Sequence, residues 1–524
     1  MAAAAAAGAK HYAVLGGGIS GLSTAWYLSR LAPKAKITLV EKQARLGGWV
    51  HTQMQNGQLF EVGPRTLRPV GDAGRATLEM VHELGLENQV LTTAKTSPAA
   101  INRYIYSNNQ LHHLPTSPFD LLNPFKSTSP LLRGLLFALL REPFIKPSTL
   151  PDESIHAFVS RRFSPAMADN LVSAVLHGIY AGNAKELSVR SAMPILWEAE
   201  RKHGSVGRGL MAPPARMPAS PTLQGSAAVA PAEPEDKAAD EFVRRVQASA
   251  SIYSFKDGMQ TLTEALHRDL EGTDNVKLLR GEVKQIRLGP TPQITFSETQ
   301  LPPLKADHII SALPASTLTN LLPAPSHTAL SSLLAAIPTV DVVTANLAFR
   351  GGPAARVLGG INGFGYLIPL TEPTGILGTV FDSCAMPEQD NTADGDAAAT
   401  TRVTVMMGGH RFREYFGDVE RADLGVLGDK AVEAVRSHLG VTAEVVERNV
   451  ALHRACIPQY TVGHHQRMTE MQELLVGSEY GGKLSLTGAS YFGVGVNDCV
   501  KNARVLALRI AKGEHATGLE KAAE

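Results

Sequence analysis

Three glycines near the start of the chain have the spacing of a dinucleotide-binding loop. Gly16, Gly18 and Gly21 follow a short apolar run, His11–Leu15, and precede apolar residues at helical spacing. In such a strand–loop–helix unit, the first glycine allows a tight turn, the second lets the backbone approach a pyrophosphate, and the third lets the helix pack closely on the strand. The amino end of the helix then faces the phosphate charge. We therefore predict that a dinucleotide contacts Gly16, Gly17, Gly18, Ile19, Ser20 and Gly21.

An acidic residue ends the next strand-like run, residues 36–40. Glu41 has the spacing from the glycines at which a carboxylate binds the adenosine ribose hydroxyls, and we assign it and Lys42 to the cofactor site. The segment that follows, RLGGWVHT, resembles the RxGGxxxT signature of flavoproteins, which favours FAD over NAD. It adds Arg45, Gly48 and Trp49 as predicted contacts. A later turn, Gly63-Pro64-Arg65-Thr66, is expected to place backbone and Arg65 near the flavin.

The end of the chain is predicted to complete the same site. A strand-like run at 484–488 is followed by a loop and by a helical pattern from about 497 to 511. A helix amino terminus directed at the flavin would stabilise negative charge on the reduced ring. We predict contacts from Ala489, Val494, Gly495 and Val496, and an adenine-side contact from Val283. The first and last segments would then form one cofactor domain, with the rest of the chain inserted between them.

Composition excludes several classes of protein. Lys and Arg number 50 and Asp and Glu 49, so there is no basic field for nucleic acid. Three scattered cysteines exclude a disulfide framework and a structural zinc site, and no metal site is predicted at His177 or at the His464-His465 pair. The strongest apolar run, at 131–140, is too short to span a bilayer. It fits a buried helix and an interfacial membrane anchor equally well.

Pattern and composition divide the chain into four parts. The predicted fold class is α/β: a discontinuous Rossmann-like FAD-binding domain (10–95, 251–312 and 479–516), an inserted α+β substrate domain (96–117 and 313–478) and a helical membrane-associating domain (118–203). Residues 204–250 are rich in Ala, Pro, Ser and Gly and are predicted to be a flexible surface insertion.

With these motifs in place, the sequence resembles the protoporphyrinogen oxidase family of the monoamine-oxidase-like flavoproteins. The resemblance rests on RLGGW, EVGPR and the C-terminal GASYFGVGVNDC, and on a series of further segments that covers nearly the whole chain apart from the insertion: 102–103, 177–183, 311–315, 363–367, 402–406 and 456–460. The glycine loop alone would be shared by many flavoproteins, so the specificity comes from the series.

The resemblance implies a six-electron oxidation of protoporphyrinogen IX to protoporphyrin IX. FAD would be bound noncovalently and reoxidised by molecular oxygen, with release of hydrogen peroxide. It also implies roles for five residues. Arg103 would bind a propionate of the tetrapyrrole substrate, the Gly178 carbonyl would line the site, and Phe364, Leu367 and Met406 would enclose the macrocycle. It further implies peripheral attachment to the mitochondrial inner membrane, and relatives of this kind are often homodimers.

Three alternatives stay open at the level of sequence. One is an oxygen-dependent coproporphyrinogen III oxidase of the same fold, which would need a more basic pocket for four propionates. Another is an amine or carotenoid oxidoreductase of the same superfamily, against which the segments around Arg103, Gly178 and Phe364 argue. The third is a flavin-stabilised porphyrin carrier without activity, which flavin reduction by substrate would separate from an enzyme.

Overall fold

The computed structural model describes residues 9–115, 135–212, 237–323, 327–390, 399–477 and 480–522. Its first unit is built on a five-stranded parallel sheet drawn from distant parts of the chain. In spatial order the strands are β19 (Leu484–Leu486), β13 (His308–Ser311), β1 (His11–Leu15), β2 (Lys36–Glu41) and β9 (Val276–Arg280).

Helices from both ends of the chain cover this sheet. Their buried apolar side chains form one core with the sheet, in which Trp26 and Leu28 pack with Val500 and Leu506. The helices are α1 (Ile19–Leu31), α2 (Gly71–Glu83), α11 (Lys237–Ser249), α12 (Gln260–Glu271) and α20 (Val496–Ala511). Small antiparallel elements extend the unit: β3 (Thr52–Gln55) with β4 (Gln58–Glu61), β5 (Val90–Ala94) with β8 (Ala250–Phe255), and β10 (Val283–Arg287), β11 (Gln293–Phe296) and β12 (Leu304–Lys305).

The second unit is a seven-stranded mixed sheet. Its neighbouring strands are antiparallel except for the parallel pair β15 and β6. The spatial order is β18 (Val445–Pro458), β14 (Thr339–Arg350), β17 (Thr400–Gly409), β16 (Ile376–Val380), β15 (Gly365–Leu367), β6 (Tyr104–Ser107) and β7 (Gln110–His113). Helices flank this sheet or connect it to the first unit: α3 (Pro98–Ile101), α13 (Ala315–Leu321), α14 (Thr328–Ala335), α15 (Ala354–Val357), α16 (Asp382–Ala385), α17 (Phe412–Phe416), α18 (Leu424–Leu439) and α19 (His464–Val476).

The third unit is helical. It contains α4 (Leu135–Arg141), α5 (Ile155–Arg162), α6 (Pro165–Met167), α7 (Ser173–Tyr180), α8 (Val189–Ala192), α9 (Pro194–His203) and α10 (Val206–Met211). Its interior holds a charged cluster: the Arg162 guanidinium lies 2.6 Å from a Glu200 carboxylate oxygen and 3.3 Å from one of Glu142, and the side chains of all three residues are buried. Within the described part of the chain, no helix combines the length and apolar character needed to cross a bilayer.

The boundaries predicted for the flexible insertion, 204–250, need correction at both ends. Residues 206–211 form α10 and residues 237–249 form α11. Phe242, Val243 and Val246 of α11 have helical spacing and are buried in the core of the first unit, which the Ala-rich composition concealed. The rest of the segment, 213–236, lies outside the described residues, as do residues 131–134 of the apolar run.

Candidate active site

The glycine loop lies where β1 ends and α1 begins. Gly16 has φ +98°, a conformation that L side chains rarely adopt, and its N–H donates to the Val40 carbonyl at 2.9 Å. A Cβ added to Gly21 would lie 1.8 Å from the Gly16 carbonyl oxygen, so only glycine permits this contact between helix and strand. The first and third glycines therefore have the roles that their spacing predicts.

The second glycine faces another stretch of bare backbone. Gly47 donates its N–H to the Gly17 carbonyl at 2.8 Å, and a Cβ on Gly48 would lie only 3.0 Å from the Gly18 Cα. Arg45 stabilises this second loop by donating from its guanidinium to the carbonyls of Leu46, Gly48 and Val50, at 2.9, 2.6 and 3.0 Å. The two loops form a cradle that is free of side chains where Gly18 meets Gly48, which suits a pyrophosphate, whereas the Leu46 side chain packs against Gly17.

Glu41 stands beside this cradle at the carboxyl end of β2. One of its carboxylate oxygens accepts from the Gly17 N–H at 2.7 Å and the other from the Gln43 N–H at 2.8 Å. The neighbouring Lys42 ammonium lies 3.6 Å from the Glu282 carboxylate, next to Val283 at the start of β10. Folding thus brings Glu41, Lys42 and Val283 to one end of the cradle.

The C-terminal loop closes the cradle from the opposite side. A Cβ on Gly488 would lie 3.5 Å from the Ser20 Oγ of α1, and Gly495 begins α20 with its N–H directed at the Asp498 carboxylate, at 3.3 Å. Ala489 packs against the core of the first unit, whereas Val494 packs against the core of the helical unit. Val496 is buried at the start of the helix.

Arg65 occupies the middle of the site. Its guanidinium lies 3.3 Å from the Asp382 carboxylate and 3.9 Å from the Met406 sulfur, and its side chain is 10% exposed. Its Nη2 is buried with no hydrogen-bond partner among the described residues, and so are Ser311 Oγ and Thr487 Oγ1 at the carboxyl ends of β13 and β19. Buried polar groups of this kind are ordinarily hydrogen-bonded. A flavin would provide polar atoms at this edge of the sheet, so the residues present fit FAD.

Met406 belongs to a row of residues that crosses the seven-stranded sheet. The strand register aligns Thr344, Met406, Gly378 and Leu367 on β14, β17, β16 and β15. The Thr344 hydroxyl donates to the Val62 carbonyl at 2.9 Å, so this row faces the turn that carries Arg65. A Cβ on Gly378 would lie 2.5 Å from the Tyr366 carbonyl oxygen and 3.1 Å from a Leu367 methyl carbon, so glycine lets β15 and β16 pack closely here.

The remaining predicted substrate residues lie around the same row. A Cβ on Gly178 would lie 2.9 Å from a Leu367 methyl carbon, so α7 packs directly on β15. The Arg103 guanidinium lies 5.3 Å from the centre of the Phe364 ring. Phe364 itself packs on a separate apolar cluster with Ile252, Ala385 and Met386, so it forms a different wall from Leu367 and Met406.

Sequence reasoning missed three residues of this site. Gly378 lies in an apolar stretch with no motif, Asp382 follows it, and Glu61 precedes the turn that contains Arg65. Burial raises the pKa of Glu61 to about 7, even though its carboxylate accepts from the Met259 N–H at 2.6 Å and from the Thr52 hydroxyl at 2.9 Å. The Arg65 charge lowers this pKa in part, so Glu61 lies near enough to Arg65 for their charges to interact, although Arg65 is ion-paired with Asp382.

Comparison with known proteins agrees with this geometry. The model of the family "Flavin containing amine oxidoreductase" matches residues 19–511. Human protoporphyrinogen oxidase is 37% identical over 504 residues, covering 95% of this chain and 97% of the human one. Coproporphyrinogen III oxidase of Bacillus subtilis is 27% identical and covers 94% and 96%. A solved structure from Exiguobacterium superposes with TM-score 0.72 at 23% identity, covering 96% of this chain and 99% of that one, which shows the fold alone.

The chain therefore belongs to the flavin containing amine oxidoreductase family. Within that family it groups with the protoporphyrinogen oxidases, and it is an FAD-dependent oxidoreductase. This confirms the predicted cofactor and the predicted class of enzyme.

Proposed function

We propose that this protein oxidises protoporphyrinogen IX to protoporphyrin IX, with molecular oxygen as the electron acceptor and hydrogen peroxide as the second product. The observation that carries the proposal is the row on the seven-stranded sheet: the strand register aligns the apolar side chains of Leu367 and Met406, and the Met406 sulfur lies 3.9 Å from the Arg65 guanidinium. A flat apolar macrocycle needs such a wall, with few polar groups in it.

The protein's own residues have three tasks in this reaction. Leu367, Met406 and Phe364 supply apolar surface that orients the macrocycle and excludes water. Arg103 supplies a guanidinium for a propionate carboxylate, because its planar N–H groups match a carboxylate in two places. Arg65, buried beside Asp382, would offer fixed N–H groups to the flavin. Noncovalently bound FAD supplies the two-electron chemistry when it is present.

The coproporphyrinogen alternative is less favoured by the relatives. The Bacillus subtilis coproporphyrinogen III oxidase is 27% identical to this chain, against 37% for human protoporphyrinogen oxidase. The two substrates differ in charge, because coproporphyrinogen III carries four propionates and protoporphyrinogen IX two. The apolar surfaces of Leu367 and Met406 on one wall and of Phe364 on another favour the less charged one.

Anaerobic mixing tests the proposal. The FAD-loaded protein is mixed with protoporphyrinogen IX without oxygen, the visible flavin absorbance is followed, and oxygen is then admitted. We expect bleaching, then porphyrin fluorescence and peroxide. Faster bleaching by coproporphyrinogen III would favour the alternative substrate. A flavin that stays oxidised with both would leave a porphyrin carrier as the better interpretation.

We propose further that the helical unit attaches the protein to a membrane surface, at the inner mitochondrial membrane. Five apolar side chains of α4, α10 and the turn after α4 are largely exposed: Phe137 (69%), Leu140 (65%), Phe144 (82%), Leu210 (59%) and Met211 (81%). Glu142 joins these segments, because its buried carboxylate accepts from the Ser205 hydroxyl and from the N–H groups of Val206 and Gly207. Such a clustered apolar surface is typical of an interaction site.

Flotation with anionic phospholipid vesicles tests this attachment. Replacing Phe144 and Met211 with Ser should reduce the fraction that floats with the vesicles. Met54→Ser is the matched control, because Met54 is 66% exposed in the cofactor unit. Equal flotation of the double variant and the control would contradict the proposal.

Light scattering during gel filtration would test the homodimer that we propose as the assembly.

A further inference from the structure

Two guanidinium groups near the Phe364 wall of the candidate substrate site have no carboxylate partner among the described residues. Arg103 donates to the Ala99 carbonyl at 2.9 Å and lies over the Phe364 ring. Arg68 is exposed. Its backbone carbonyl accepts a hydrogen bond, but its side chain forms no ion pair in the described structure. No Asp or Glu among the described residues lies within ion-pair distance of either guanidinium, whereas Arg65 and Arg402 in the same region are paired with Asp382 and Asp390.

Backbone contacts place Arg68 beside the wall that carries Arg103 and Phe364. Leu67 and Tyr253 exchange backbone hydrogen bonds at 2.8 Å in both directions, and the residue before Tyr253, Ile252, packs against Phe364. On its other side, the Arg68 carbonyl accepts from the Asn497 side-chain amide at 2.8 Å. Asn497 lies in the first turn of α20, next to the C-terminal flavin loop. Arg68 is thus fixed between that loop and the wall that carries Arg103 and Phe364.

The two cations also affect each other. Burial, and secondly the Arg68 charge, lower the pKa of the Arg103 guanidinium. Two neighbouring like charges without a protein counter-ion are unfavourable, since each raises the electrostatic free energy of the other. An anionic ligand that bridges them would relieve this repulsion. The arrangement therefore indicates a ligand with two negative groups, or two anions bound side by side.

We propose that Arg68 and Arg103 together bind the two propionate carboxylates of the substrate, with Arg68 as the second, previously unassigned partner. This rests on the proposed function. It also fixes the orientation of the substrate: the edge that carries the propionates lies at Phe364 and the α20 amino terminus, and the opposite, uncharged edge points along the row of Leu367, Gly378 and Met406. Two cations match two carboxylates, whereas a substrate with four propionates would place two more against apolar residues.

Steady-state kinetics of the FAD-loaded Arg68→Ala, Arg68→Lys and Arg68→Glu variants test the proposal. Arg421→Ala is the matched control, because Arg421 is also exposed and has no ion pair in the described structure. For Arg68→Ala we expect a roughly three- to tenfold rise in KM for protoporphyrinogen IX, with kcat changed by less than about twofold, the range of an exposed charged hydrogen bond. Arg68→Lys should raise KM less than Arg68→Ala does, and Arg68→Glu should raise KM more than Arg68→Ala does.

Ionic strength provides a second readout that a merely structural role would not change. Because Arg68 is exposed, added salt should raise the KM of the wild type, and this dependence should weaken in Arg68→Ala and disappear in Arg68→Glu. If Arg68→Ala has the same KM as the wild type and Arg421→Ala, the two-arginine site is wrong. The proposed function would still stand. Wild-type protein that leaves protoporphyrinogen IX unoxidised would overturn the proposed function and, with it, this assignment.

Discussion

Replacing Glu61 with Gln should change how the stability of the protein depends on pH. Glu61 is 4% exposed, and burial raises the pKa of its carboxyl from the ordinary 4.5 to about 7. The folded protein therefore holds this proton more tightly than the unfolded chain does. The resulting stability is complete below pH 4.5 and is lost as the pH rises through 7. A glutamine cannot ionise, so the variant should lack this loss.

The size of the effect follows from the two pKa values. A shift of one pKa unit corresponds to 1.36 kcal/mol, so the full shift of Glu61 corresponds to about 3 kcal/mol. Between pH 5 and pH 8, most of that amount should be lost from the wild type, about 2.5 kcal/mol. The glutamine retains an oxygen for the Met259 N–H and places its amide beside the Thr52 hydroxyl, which adds an offset independent of pH.

Urea-induced unfolding of the FAD-loaded protein, followed by FAD fluorescence at pH 5, 6, 7 and 8, measures this difference. Glu388→Gln is the control, because Glu388 is exposed on the surface after α16. The stability of Glu61→Gln relative to the wild type should increase steadily with pH, whereas that of Glu388→Gln should not change. Parallel pH curves for Glu61→Gln and the wild type would refute the reasoning, because they would mean that Glu61 is ionised throughout this range.

Three further variants test other parts of the site. Asp382→Asn should weaken FAD binding about tenfold or more, because it leaves the buried Arg65 guanidinium without its counter-charge. Titration of the apoprotein with FAD measures this effect. An unchanged dissociation constant would contradict it. Gly378→Val should destabilise the protein by about 2 kcal/mol or more, because even its Cβ would lie 2.5 Å from the Tyr366 carbonyl oxygen and push β16 away from β15. Thermal unfolding at the wild-type temperature would contradict this. Gly48→Ala should be purified with less FAD, judged by its visible absorbance, because φ is +58° and the Cβ approaches Gly18.

The cofactor side of the site could be predicted from the sequence because its determinants are local. A tight turn, a close helix and an acid at the end of the next strand each need a particular residue type at a fixed spacing, and Gly16, Gly21 and Glu41 satisfy these needs within one strand–helix–strand unit. The C-terminal strand and helix were predicted within a few residues of the observed Leu484–Leu486 and Val496–Ala511. The sequence predicted that they belong to the cofactor unit, but not that β19 lies at the edge of the sheet beside β13.

The helix α11 marks a limit of that reasoning. Composition predicted a loose insertion through residue 250, yet Phe242, Val243 and Val246 are buried against the first unit. An Ala-rich segment with a few apolar residues forms a stable helix only where another surface covers those residues. That surface comes from other parts of the chain.

The sequence by itself predicted a dinucleotide site built from the first and last segments of the chain, because glycine conformation and strand–helix spacing are properties of short segments. Tertiary structure decided which residues lie on the other side of that site. Leu367, Gly378 and Met406 become neighbours only through the register of three strands, and Arg65 meets Asp382 from a distant part of the chain. Such contacts depend on how sheets pair and pack, which no local spacing encodes, and they make up the proposed substrate side of the site.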